Sequence, residues 1–366
     1  MTAPLPFHSL DASLFERARS LLDEDWLGKD VDLAPVLPMV LARGVGQDWH
    51  KAGTFRHHLV GVARTLAQWQ QPREVRLLGL LHSVYGNAFV DLVKFDAGTE
   101  RGRLRERVGD TAEHLVYLFC TASRAQFTER VLAGAIAEDG SVTVDRIGAG
   151  QGTVRLSAYE VAAFVLVTMA DFMEQWFSWQ DDIFSGFPQV AHRPQPVHWM
   201  ASLWPGPMRP SARMVHQVSR LSQALQHPAL RDLLPRPPVF AGCTQTLAAA
   251  DEAAATSLYW SVIQQDQPLV QSDTAIAVLE QAVRHNPWVG EPQMVLAQLY
   301  LSVGRSDDAR AAAESALQLF SQWGNAWDKR VQWEAWVAWT RILLQSASNG
   351  NWPERLDKLN NLALGA

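Results

Sequence analysis

LLGLLHSVYGN (77–87) is an apolar run that stops at a histidine, followed by a serine, a tyrosine, a glycine and an amide. Four leucines and a glycine in five positions make the apolar end of a helix. His82 closes it, so an imidazole sits where the apolar surface ends. Two neighbouring stretches share this character. FRHHLVGVARTLAQW (55–69) opens on histidines before an apolar stripe, and VLVTMADFMEQ (165–175) carries an aspartate at the end of the ten-residue apolar run 161–170. The periodicity predicts helices over 54–70, 73–83, 102–121, 124–137 and 157–180.

Most of the chain carries the same 3.6-residue period. GSVTVDRIGAGQGTVRLS (140–157) is different: Val142, Val144 and Ile147 alternate, GAGQG turns, and Val154 and Leu156 return, which predicts a β-hairpin. Residues 183–210 hold six prolines and read as a long loop. Residues 227–246 read as a connection between domains. SDTAIAVLEQAVRHNP (272–287) and SDDARAAAESALQLFS (306–321) align at an offset of 34, with Ala275 matching Ala309 and Ala282 matching Ala316. Small residues recur in this way where paired helices approach closely. The pattern resembles the tetratricopeptide repeat, and such repeats imply a protein partner. WGNAWDKRVQWEAWVAWTR (323–341) lies on a helix expected over 326–345. Its stripe of Trp327, Trp333, Trp336 and Trp339 reads as core or as an interdomain seam, with an aromatic cleft as the alternative.

Composition narrows the classes. The chain has 366 residues, of which 48% are hydrophobic, and a net charge of −6. No basic face for nucleic acid is implied. The longest apolar helical run, 161–170, is too short to span a bilayer, and no signal core opens the chain, so a cytoplasmic protein is expected. Cys120 and Cys243 sit in no CxxC, which argues against a cysteine zinc site or a disulfide framework.

The order of His58, His82-Ser83 and Ala170-Asp171 resembles the HD metal-binding superfamily, and within it hydrolases of the RelA/SpoT type that act on guanosine polyphosphates. A family of unknown function with His-Ser-x-Tyr-Gly at this place resembles the chain more closely. The resemblance covers about residues 45–180. It implies an all-α, HD-like domain with a small hairpin over 1–226, a linker over 227–246 and a tetratricopeptide-like domain over 247–366. Where the superfamily has a ligand aspartate this chain has Ser83, and its acidic pair falls on Gly86 and Asn87. Neither glycine nor an amide is a general base. What remains is His58, His82 and Asp171, the donor set of a facial-triad iron site, and one that also suits zinc or manganese. Tyr85 and Asn87 are placed to orient a substrate. Glu174, three residues after Asp171, shares its helical face and could bond a ligand histidine. His57, His50 and His114 are further ligand or proton-shuttle candidates.

Three functions follow as expectations. The first is a small-molecule metalloenzyme of the non-haem iron oxygenase type. The second is a metal-dependent phosphohydrolase of a nucleotide-like or phosphorylated substrate. The third is a catalytically dead HD-like binding or scaffold protein. Against the metal readings, His82 could be an ordinary core histidine, and Asp171 could be paired with an arginine such as Arg56 or Arg64.

Overall fold

The computed structural model describes residues 12–22, 25–50, 53–86, 92–147, 152–175, 214–265 and 272–350. Asn87, the stretch 183–210 expected to form a long loop, and most of GAGQG lie outside the described residues. The elements in chain order are α1 (Ala12–Leu21), α2 (Trp26–Lys29), α3 (Leu37–Leu41), β1 (Trp49–His50), β2 (Gly53–Thr54), α4 (Phe55–Gln68), α5 (Arg73–Leu81), α6 (Arg101–Val108), α7 (Asp110–Thr121), α8 (Arg124–Leu132), β3 (Val142–Asp145), β4 (Thr153–Leu156), α9 (Ala158–Glu174), α10 (Met214–Gln223), α11 (Ala249–Ile263), α12 (Ser272–His285), α13 (Glu291–Ser302), α14 (Ser306–Trp323) and α15 (Trp333–Ser348). The fold is mostly helical, as expected, and the hairpin forms where the alternation placed it. β3 and β4 are antiparallel with Val142 opposite Leu156 and Val144 opposite Val154. Among the described residues no helix is long and apolar enough to cross a membrane.

One compact unit contains the described residues of 20–175 and 216–246. Its centre is α9, whose residues 161–170 are all buried. Ser157 and Glu160 start this helix with a reciprocal capping box, fixing its register. α4, α5 and α9 pack on one another, and α5 also packs on α7. The expected single helix over 102–121 is two. Gly109 breaks it with φ 89, a backbone state that side-chain-bearing residues rarely adopt. The stretch 227–246, read from sequence as a linker, packs within this unit instead. Gln71 Nε2 donates to Pro235 O at 2.7 Å, and Leu230, Val239 and Phe240 are buried.

The other unit contains the described residues of 1–19, 176–215 and 247–366. Each helix from α11 to α15 packs on the next, and α13 also packs on α15, giving helical hairpins in series. Ala275, Ala282, Ala309 and Ala316, the alanines related by the repeat, are all buried. Trp327, Trp333 and Trp336 are buried in this unit's core. The Trp333 indole donates to Phe320 O, and the Trp336 indole to Asp328 O. α15 begins at Trp333, later than the expected 326. The chain before it is held by Glu291, whose Oε1 accepts the backbone N–H groups of Trp327 and Asp328 at 2.7 and 3.0 Å.

Burial pushes Glu291 up to about 7, helped by the Asp328 charge and opposed by those backbone donors. A folded-state value above the ordinary one means the folded chain holds a proton that the unfolded chain releases between about pH 4.5 and 7. Stability from this group is therefore full below that window and is lost as pH rises through it. Glu291→Gln keeps the accepting oxygen and removes the charge. It should gain about 1–3 kcal/mol relative to wild type at pH 8 and little at pH 4.5, measured by urea unfolding. Equal effects at both pH values would refute the buried charge as the cause.

Candidate metal centre

Three helix ends meet in the first unit. His58 is in the first turn of α4, where Thr54 caps the helix by accepting His57 N–H. His82 follows α5 as its C-terminal cap residue. Asp171 is in the last turn of α9. Residues 69–72 form a short connection that returns α5 along α4, so the end of α5 lies beside the start of α4. All three side chains are buried, none more than 3% exposed. His58 Nε2 is 3.1 Å from His82 Nε2 and 3.4 Å from Asp171 Oδ1, and His82 Nε2 is 3.9 Å from that oxygen. Among the described residues this is the group of histidine and carboxylate atoms that could hold one metal ion. The separations are those that atoms about 2.0–2.2 Å from a common ion can span.

The outer nitrogens decide what the inner ones can do. His82 Nδ1 is 2.8 Å from Gly79 O, and a carbonyl only accepts, so Nδ1 carries the proton. His58 Nδ1 meets the Glu174 carboxylate in a short contact and donates there in the same way. In a neutral ring each Nε2 is then a bare lone pair. Two such lone pairs and a carboxylate oxygen converge. Outer-side bonding to a carbonyl and a carboxylate is how ligand histidines are oriented at metal sites. Burial drives the His82 ring down to about 3; the Asp171 charge opposes this, while His58 and Arg124 reinforce it. Burial disfavours the charged form of Asp171 as well, but the Arg124 charge and the two histidines outweigh it and hold the carboxyl well below the usual range.

Asp171 has two further partners. Arg124 Nη2 bonds its Oδ2, and Gln175 Nε2 bonds its Oδ1. The expected arginine partner was Arg56 or Arg64; the structure supplies Arg124, from the first turn of α8. A signal for it was present. Arg124, Phe127 and Val131 follow at i, i+3 and i+7 and are all buried, so the arginine lies on the apolar face of α8.

The other candidates are distributed as follows. Glu174 joins the cluster through His58 Nδ1. His50 is buried with its ring centroid 4.6 Å from that of His58, alongside the converging atoms. The structure does not bring the Tyr85 hydroxyl to the cluster. It donates to the buried Glu113 at 3.0 Å, which Arg101 and Arg105 also bind. His57 is exposed and completes the cap of α4. His114 is exposed and contacts Glu160. Cys120 and Cys243 are free and buried, and Cys120 Sγ donates to His82 O.

Residues 39–124 match a domain of unknown function (DUF6817). The match takes in His58, His82-Ser83-Val84-Tyr85-Gly86 and Arg124, and ends before Asp171. Residues 271–329 match a tetratricopeptide repeat, which suggests protein interactions for that unit. No curated protein and no solved structure matches the chain.

Gly61 makes the Glu174 contact possible. A Cβ at this position would lie 2.7 Å from Glu174 Cγ. Gly61→Ala should push Glu174 off His58, and the low-field imidazole N–H resonance of that pair should vanish from the proton NMR spectrum. A resonance unchanged in the folded variant would show that the close approach is not what seats the carboxylate.

Proposed function

We propose that His58, His82 and Asp171 bind one divalent metal ion, and that the first unit is a small-molecule metalloenzyme. The observation that carries this reading is the outward commitment of both Nδ1 protons. It leaves two imidazole lone pairs and a carboxylate oxygen facing one point. Without a cation they repel. The competing occupant is a proton on His58 shared with His82, as in an ion-free polar core. The order of the three segments, which resembles the HD superfamily, supports the metal. Glu174 and Gly79 orient the rings, and Arg124 and Gln175 hold the carboxylate.

Two imidazoles and one carboxylate leave coordination positions open, and iron in such a set supplies oxidative chemistry. We favour that class, because the carboxylates of the hydrolytic relatives fall on Ser83, Gly86 and Asn87. Hydrolysis of a phosphorylated substrate by a zinc- or manganese-polarised water is the second reading. The cationic Arg124 beside Asp171 favours it.

Metal analysis of the full chain, purified without added metal, should find close to one equivalent of iron, zinc or manganese. His82→Ala and Asp171→Asn should each abolish it, and Glu174→Ala should weaken binding about 10–100-fold. Iron supports oxidation, and zinc or manganese supports hydrolysis. A chain that neither carries nor takes up any of the three would sink the proposal.

A further inference from the structure

The geometry points to an oxyanion as the ligand of this site, held jointly by the metal and by Arg124; this rests on the metal reading above. Arg124 is only 8% exposed. Its guanidinium lies over the Phe119 ring, with Cζ 4.3 Å from the centroid, so the ring covers a face and takes none of the N–H groups. Nη2 is spent on Asp171 Oδ2. Nε is buried and has no hydrogen-bond partner among the described residues. In a guanidinium, Nε–H and one N–H of Nη2 lie on the same edge and point the same way. That edge is the fork that receives two oxygens. Nε and Nη2 are bonded to the same carbon, so the unpartnered donor lies close to the Asp171 carboxylate that Nη2 holds. A buried donor without an acceptor is costly, and its retention calls for an acceptor that arrives from outside the fold.

Charge leads to the same class. Asp171 and Glu174 each bring one negative charge, Arg124 brings one positive charge, and the ligand imidazoles are neutral. A divalent ion then leaves the site with one net positive charge in a buried setting. An anionic oxygen ligand offsets it: a carboxylate cancels the charge, and a phosphate monoester, at about −1.5 to −2 near neutral pH, more than cancels it. One oxygen would take an open position on the metal and a second would accept from Arg124 Nε. A phosphate monoester and a carboxylate both present such a pair.

The test uses the full-length chain and cobalt(II), whose visible absorption reports its ligands. Inorganic phosphate and acetate are titrated into the cobalt-loaded and metal-free chain by calorimetry, with the cobalt spectrum followed in parallel. Phosphate or acetate should bind the loaded chain, shift the cobalt bands and fail to bind the metal-free chain. The tighter of the two identifies the substrate head group. Arg124→Lys keeps a cation beside Asp171 but lacks the fork. With both chains saturated with cobalt, it should lose at least about tenfold in anion affinity relative to wild type. Equal anion affinity in Arg124→Lys would overturn the assignment to Arg124. Cobalt binding without anion binding in wild type would overturn this inference alone. Wild type that takes up no cobalt would overturn the metal reading itself. Should Arg124→Lys not fold, the wild-type comparison with and without cobalt still decides whether the site takes an oxyanion.

Discussion

A neutral imidazole has two nitrogens and one proton, and the first unit commits that proton outward on the buried rings of His58 and His82. Gly79 O accepts it from His82, and the Glu174 carboxylate accepts it from His58. Much else in this unit serves that arrangement. Gly61 leaves room for Glu174 beside α4, and Gly79 lets α5 approach Leu66 and Val62 on the same helix. The capping box of Ser157 and Glu160 fixes where α9 starts, and so where Asp171 and Glu174 fall in its last turn. Close packing allows little adjustment once these contacts are made. The inward nitrogens therefore face each other at 3.1 Å because of hydrogen bonds made on the far side of each ring.

A carboxylate in this interior is costly. Burying a charge without a partner costs at least several kcal/mol, and a buried pair that loses one member is strongly destabilised. Arg124 answers that for Asp171 through Oδ2 and leaves Oδ1 facing the histidines. The two oxygens thus divide the work. Oδ2 is tied to Arg124, while Oδ1, which also accepts from Gln175 Nε2, is turned to the site.

The sequence made the helices, the hairpin and the repeat legible, because period and spacing are local properties. Burial of Ala275, Ala282, Ala309 and Ala316 follows from the 34-residue offset alone. The three converging residues were legible through their order along the chain and their place in apolar helices. Glu174 was legible through its spacing from Asp171. Other features depended on contacts far apart in sequence. Nothing local says that Tyr85 turns to Glu113, 28 residues on, or that α15 waits until Trp333 because Glu291 holds the chain before it. Arg124 was half legible: its spacing from Phe127 and Val131 marks it as inward, but the choice of Asp171 as its partner needs the packing of α8 near the end of α9.

Ser83 and Arg124 bear on the same quantity. A carboxylate at position 83, which is fully buried beside His82, would join Asp171 and Glu174 as a third negative charge. The serine removes that charge, and Arg124 cancels one of the two that remain. Two changes of the same sign take a strongly anionic pocket to one that a single divalent ion more than neutralises. Such a pocket no longer suits a cluster of cations, whose mutual repulsion needs several carboxylates to offset it. It suits one ion with an anionic partner, since a lone excess charge in a water-poor interior is costly in either sign. On the proposed metal reading, Ser83 and Arg124 are then two parts of one electrostatic arrangement. In the proposed metal-bound state, an anion beside the ion would complete its balance.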